Sequence, residues 1–166
     1  MKIYLDFDGV ILDTEKILNE DYDGTVDRRE YVKNYDWFKL MRDDIIINNS
    51  LDYIKESTCD ISLLSKISSM CEGQAKIKYL REKDIFIDIH LVPTLIDKND
   101  VVNPKGNILI DDKIRNLDRW VKNGGIGIFF NKDLNNIDMY GNINTDYKII
   151  NDLSCLKNIE NIVKSD

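Results

Sequence analysis

Ile3-Tyr4-Leu5-Asp6-Phe7-Asp8-Gly9-Val10 opens the chain with an apolar run that ends in two carboxylates one residue apart. Leu5 and Phe7 continue a strand pattern. Asp6 and Asp8 therefore project together at its carboxyl end, because side chains two apart share a face of extended backbone. Gly9 permits a sharp change of direction there. An Asp-x-Asp pair alone carries little weight in a chain with 30 acidic residues. A second stretch, Asn107-Ile108-Leu109-Ile110-Asp111-Asp112, repeats the theme: an apolar strand, paired acids, then at once a helical pattern. Acids at a helix N-terminus stabilise it by ~0.3–1 kcal/mol. That accounts for Asp111 and Asp112, but not for two strands ending in paired acids at the same edge of one sheet. At ~4 Å and an effective dielectric near 20, each like-charge pair repels by about 4 kcal/mol. A hard divalent cation relieves this, and an oxygen-only donor set without His or Cys favours Mg²⁺.

Between and after these stretches lie three more short runs, Ile61 to Leu64, Ile85 to Val92 and Ile126 to Phe130, each β-branched or aromatic and bounded by turn or charged residues. Helical periodicity fills the gaps. Ala75, Tyr79 and Leu80 share a face within Gly73 to Lys83, and Ile114, Leu117 and Val121 recur before the Gly124-Gly125 stop. Strands alternating with helices predict an α/β chain: a doubly wound, mostly parallel, five-stranded Rossmann-like sheet. Ligands of such sheets sit at the carboxyl ends of the strands. Residues 13–57 break the alternation with a helical, aromatic-rich stretch from Arg28 to Ile46, too long for a simple crossover. They are expected to form a small helical cap inserted after the first strand, with 1–12 and 58–166 as the core domain. The tail after Asn151 predicts a closing helix with Leu153, Leu156, Ile159, Ile162 and Val163 on one face.

Bulk properties narrow the function. With 166 residues, 43% apolar and 32% charged, the chain supports one compact domain rather than disorder. A formal charge of −7 argues against an extended nucleic-acid footprint, which rests on clustered Lys and Arg. Cys59, Cys71 and Cys155 are widely spaced and His90 is the single histidine, which excludes a finger-type zinc site and predicts free thiols in a reducing compartment. The first strand begins at Lys2, leaving no room for a secretory leader, and no apolar run approaches the ~18 residues that span a bilayer, so a cytoplasmic protein is expected.

Asp6-Phe7-Asp8-Gly9-Val10 resembles motif I of the haloacid dehalogenase (HAD) superfamily of phosphohydrolases, and Asp111-Asp112 resembles its motif IV. Ile108 to Asp112 with Asn116, Trp120 and Gly124-Gly125 behind it is similar to the 5'(3')-deoxyribonucleotidase-like branch. The resemblance covers the whole chain in order and implies an Mg²⁺-dependent phosphatase acting through an aspartyl-phosphate. Asp6 would be the nucleophile and Asp8 the acid/base. The metal would be held by Asp6, the Asp8 carbonyl and an Asp of motif IV, Asp112 being favoured over Asp111. Ser65 fits motif II by position, with a helix N-cap as its alternative role and mid-strand Ser62 as a poor rival. For the motif III lysine, Lys98 matches best and Lys105 remains a candidate. An acid at position 8 opposes the P-type ATPase and dehalogenase branches.

The resemblance points first to a mononucleotide, probed by Tyr35, Trp37 and Phe38 if these stack on a base rather than form the core of the insertion. A sugar phosphate is the alternative, since Asp13-Thr14-Glu15 is similar to sugar-phosphate phosphatases. His90 reads as a packed core residue. Two rivals stand outside small-molecule hydrolysis: a receiver-type phosphoacceptor without turnover, and a nucleic-acid end phosphatase.

Overall fold

The computed structural model describes residues 1–133 and 147–157. Strands β1 (Ile3–Leu5), β2 (Ile61–Ile67), β3 (Asp88–Pro93), β4 (Ile108–Asp111), β5 (Ile126–Phe130) and β6 (Lys148–Ile150) form one sheet in the order β3-β2-β1-β4-β5-β6. Every neighbouring pair is parallel. The sheet thus has six strands among the described residues, one more than the five expected. The addition, Lys148–Ile150, pairs with Ile128 to Phe130 and is only 3 residues long, too short to stand out as an apolar run.

Two other expectations are corrected. The third strand starts at Asp88 rather than Ile85. Asp84 turns through φ 58°, and the Arg81 guanidinium donates to the carbonyls of Ile85 and Ile87, so 85–87 is a tethered link while Phe86 projects into solvent. The tail after Asn151 shows a 3-10 turn, Ser154–Lys157, in place of the start of a helix. Leu153 and Leu156 are buried as expected, and Ile159, Ile162 and Val163 lie outside the described residues.

Four helices and a 3-10 turn separate β1 from β2: α1 (Thr14–Glu20), α2 (Arg28–Asn34), α3 (Trp37–Leu40), the turn Asp43–Ile45, and α4 (Ser50–Glu56). Side-chain caps set two of their starts, Asp27 accepting from the amides of Arg29 and Glu30, and Asp36 from that of Lys39. The returning chain is stitched to the outgoing one, with Asp13 N donating to Ile45 O at 2.9 Å, Ile47 N to Ile11 O at 3.0 Å, and Ser50 Oγ to Ile11 O at 2.9 Å. Helices α5 (Met70–Glu82), α6 (Lys98–Val101) and α7 (Ile114–Lys122) make the later crossovers.

Alternation along β1 sends Ile3 and Leu5 into one core, with Ala75, Tyr79, Leu80, Trp37 and Leu40, and Tyr4 into the opposite one, with Leu64, Leu109, Leu117 and Trp120. Both faces of the sheet are therefore covered, as a parallel sheet requires. The chain leaves β1 toward β2 on one side and returns at β4 on the other, making the β1–β4 junction the switch point where α/β sheets bind ligands. No helix among the described residues is long and apolar enough to cross a membrane.

Candidate active site

Parallel register puts the ends of β1 and β4 side by side, Leu5 opposite Ile110, and the amide of Asp6 donates to Ile110 O at 3.0 Å. Asp6 and Asp111-Asp112 are thereby delivered to one rim. Carboxylate oxygens of Asp6, Asp111 and Asp112 all lie within 4.8 Å of one another. Asp6 and the Asp111-Asp112 pair, more than 100 residues apart in sequence, thus meet, while the Asp8 carboxylate turns instead to Thr14 and Lys76.

Gly9 makes the closeness possible. Its φ is +75°, and a Cβ built on it would sit 2.3 Å from Asp112 Oδ2, so any side chain there would drive Asp112 away.

The two motif IV acids are not equivalent. Asp111 is fully buried, and both its oxygens are occupied: Oδ1 accepts from Lys113 N and Asn116 Nδ2, Oδ2 from Asn116 Nδ2 and Lys98 Nζ at 2.6 Å. Asp112 instead offers a buried Oδ1 with no partner, while its Oδ2 faces Lys113 Nζ at 3.1 Å. Burial and the Asp6 charge push the Asp112 carboxyl up to about 7, and burial pushes that of Asp111 up to about 6 against the pull of Lys98. A buried, partnerless carboxylate oxygen beside two further acids is the arrangement a hard cation satisfies, and the donors are all oxygen. The residues present fit Mg²⁺, with Asp112 as the open donor and Asp111 as the anchor that holds Lys98.

Lys98 opens α6 and is almost fully buried. Its Nζ lies 3.1 Å from Asp6 Oδ1 and 2.6 Å from Asp111 Oδ2. Burial alone would push this lysine down, but the two carboxylates outweigh it and hold it above the ordinary value. Lys105 is exposed and packs near Gly124, so of the two candidates for the motif III lysine only Lys98 contacts the acids.

Ser65 is fully buried, but β2 continues past it to Ile67, and the N-cap of α5 is Ser69, whose side chain accepts from Glu72 N. The capping role considered for Ser65 is thus filled by another residue. Ser65 Oγ accepts from Lys76 Nζ at 3.1 Å, and Lys76 Nζ also meets Asp8 Oδ2 at 2.5 Å and Glu72 Oε1 at 2.6 Å. Asp8 Oδ1 accepts from Thr14 Oγ1 at 2.8 Å. Ser62 lies lower on β2, its hydroxyl buried without a partner.

Tyr35, Trp37 and Phe38 do not share a face. Trp37 is buried in the core with its Nε1 donating to Val32 O, Tyr35 hydrogen-bonds Asp21, and Phe38 lies exposed near Lys78. Tyr35 closes α2 while Trp37 and Phe38 lie on α3, and the three build no common stacking surface. His90 stands edge-on to Tyr4 at 5.8 Å, a packing contact. The three cysteines are free. Beside Gly9 and Asp112 opens a cavity of about 540 Å³, lined by Asp13, Lys16, Lys113, Asn131 and Lys132 among others.

No family model matches the chain, and no curated protein matches it in sequence. Its backbone is nonetheless similar to solved structures over nearly its full length. One is the HAD-hydrolase YfnB from Bacillus subtilis bound to magnesium, 16% identical, with TM-score 0.63 over 96% of this chain and 98% of that one. Another is the D,D-heptose 1,7-bisphosphate phosphatase from Burkholderia thailandensis, 12% identical, with TM-score 0.58 over 99% of both. A third, the corresponding phosphatase from B. bronchiseptica complexed with magnesium and phosphate, is 13% identical with TM-score 0.54 over 100% of both. With its acidic rim at the switch point of a parallel sheet, this chain has the fold of the haloacid dehalogenase-type hydrolases.

Proposed function

We propose that the protein is an Mg²⁺-dependent phosphomonoesterase of the HAD type. The observation that carries this reading is the open Asp112 Oδ1, buried without a partner beside Asp6 and the Lys98-anchoring Asp111. Asp6 attacks the phosphorus in line and forms an aspartyl-phosphate as the bond to the leaving oxygen breaks. Asp8 gives its proton to that oxygen and later takes one from the water that hydrolyses the intermediate. Asp6, the Asp8 carbonyl and Asp112 would hold Mg²⁺, which when bound neutralises phosphoryl charge. Lys98 keeps an N–H beyond those aimed at Asp6 and Asp111 for a non-bridging oxygen, and Ser65 lines the same end of the sheet. Residues 13–57, stitched shut at their base, are proposed as a cap over the strand ends.

The substrate is proposed to be a small phosphorylated metabolite. The deoxyribonucleotidase-like form of Ile108 to Asp112 supports a nucleoside monophosphate. The polar, lysine-bearing cavity beside Asp112 supports a sugar phosphate, as does the lack of a shared stacking face on Tyr35, Trp37 and Phe38. A cytoplasmic setting is proposed with either. A panel of phosphomonoesters assayed with and without Mg²⁺ tests the function. Phosphate release that requires the metal is expected, and absence of release from every ester, or stable phosphorylation without turnover, would overturn it.

The acids predict a pH signature. The raised carboxyls of Asp111 and Asp112 bind protons more tightly in the folded than in the unfolded chain. Their contribution is therefore favourable below the ordinary aspartate range and is lost as pH rises through about 6 to 7. Above that window the ionised rim is destabilising and open to a cation. The rise in Tm on adding Mg²⁺ is expected to be larger at pH 8 than at pH 5.5, as measured by thermal unfolding. An equal shift at both values would contradict metal binding by these acids.

A further inference from the structure

Lys76 is absent from the chemistry above, yet it is fully buried at the centre of it. Its Nζ has four acceptors: Asp8 Oδ2 at 2.5 Å, Glu72 Oε1 at 2.6 Å, and Ser65 Oγ and Lys66 O at 3.1 Å. The rings of Phe7 and Trp37 flank it, their centroids 5.4 and 5.2 Å away. Lys76 is thus the point where the candidate acid/base, the candidate phosphate-side serine and the inserted segment meet.

Stability alone does not account for a lysine here. Burying an ammonium costs several kcal/mol even after relaxation, and replacing a buried ion cluster by apolar side chains of similar volume is often neutral or favourable. Between Phe7 and Trp37 such a side chain would pack well. What an apolar residue cannot do is grip Asp8. Thr14 Oγ1 donates to one oxygen of that carboxylate and Lys76 to the other, so its plane is fixed from two sides by α1 and α5.

We infer that Lys76 is a positioning residue that orients Asp8 for proton transfer to the leaving oxygen, an inference resting on the phosphomonoesterase reading. The ammonium itself is not consumed. An Asp6 carboxylate oxygen forms the new bond to phosphorus, the P–O bond to the bridging oxygen breaks with its electron pair going to that oxygen, which takes the proton from Asp8, and Lys76 retains all its protons. Glu72 serves as the counter-charge that keeps Lys76 in place while Asp8 exchanges its partners.

The test uses two esters that differ in their need for that proton. The phenolate of p-nitrophenyl phosphate leaves with little help, whereas the alkoxide of glycerol 3-phosphate does not, and a positioned acid is worth ~10²–10⁴-fold. Lys76→Met is expected to lower kcat for glycerol 3-phosphate by about 100-fold or more, with a loss about ten times smaller for p-nitrophenyl phosphate and little change in KM. Equal losses on both esters, a change confined to KM, or wild-type rates would overturn the inference. Lys76→Gln, which keeps a donor in similar space, is measured in parallel with circular dichroism of each variant. The ester ratio in either folded variant decides, and failure of both to fold would assign the lysine to structure and overturn the inference. Wild-type protein inactive on every ester with Mg²⁺ would instead reject the phosphomonoesterase reading itself.

Discussion

Asp6→Asn is expected to abolish Mg²⁺-dependent phosphate release, by about 10⁵-fold or more, on the scale seen when a covalent nucleophile is removed. The amide is nearly isosteric, and its oxygen can still accept from Phe7 N, a bond that Asp6 Oδ1 makes at 2.8 Å. The ion pair with Lys98 is lost, but Asp111 remains 2.6 Å from that lysine, so the cation is not stranded. The fold is therefore expected to survive, with one like charge fewer on a crowded rim. Circular dichroism, thermal unfolding and phosphate release on the same sample check this. Turnover near the wild-type rate would remove Asp6 as nucleophile and with it the aspartyl-phosphate route. The same variant separates an enzyme from a phosphoacceptor. Wild-type protein that takes up phosphate from a small donor, keeps it, and loses that label on Asp6→Asn would be a regulator.

The sheet and the acidic rim were legible because both rest on local pattern. Ile3 to Leu5 and Ile108 to Ile110 are short apolar runs, and each ends in paired acids at the carboxyl edge where parallel sheets bind ligands. Parallel pairing then forces the two ends together, since Leu5 opposite Ile110 leaves Asp6 and Asp111 no other edge. What pattern could not supply was the division of labour within Asp111-Asp112. Asp111 closes β4 and turns inward to Asn116 and Lys98, while Asp112 lies just beyond the strand and keeps its Oδ1 open. Asn116, noted in sequence only as part of a resemblance, proves to donate to both oxygens of Asp111.

Lys76 went unseen for a different reason. Glu72 and Lys76 stand four apart on a helix, the spacing of ordinary solvent-exposed ion pairs, and nothing in that spacing reveals burial. The one local signal was Ala75 beside it, the single alanine of the chain, marking the helix face pressed against the sheet. Likewise the aromatic stretch Tyr35 to Phe38 could be read as core or as binding surface, because it straddles the end of α2 and the start of the four-residue α3, where sequence spacing does not fix which way each ring points. Only packing separates buried Trp37 from exposed Phe38.

Lys98→Met and Lys105→Met should give opposite results. Lys98 is the cation between Asp6 and Asp111, and removing one member of a buried pair leaves the remaining charge without compensation, at a cost of about 3–5 kcal/mol. The cost here falls toward the lower end of that range, because Asn116 Nδ2 and Lys113 N still satisfy Asp111, and a cation bound at the rim would offset part of the remaining repulsion. The loss of activity is expected to exceed what the stability loss explains. A lysine fixed by two carboxylates is pre-organised toward developing phosphoryl charge, and losing one such donor costs ~10²–10³ in rate. Lys105 bonds through its backbone to Asn103 Oδ1 and its side chain is exposed, so its replacement should change stability by less than about 0.5 kcal/mol and leave turnover intact. Urea unfolding and kcat/KM, with Mg²⁺ saturating, separate the two. A Lys98→Met protein as stable and as active as Lys105→Met would mean that the buried ammonium neither holds the acids together nor meets the phosphate. The rim would then have to be held by the Asn116 amide and a bound cation alone.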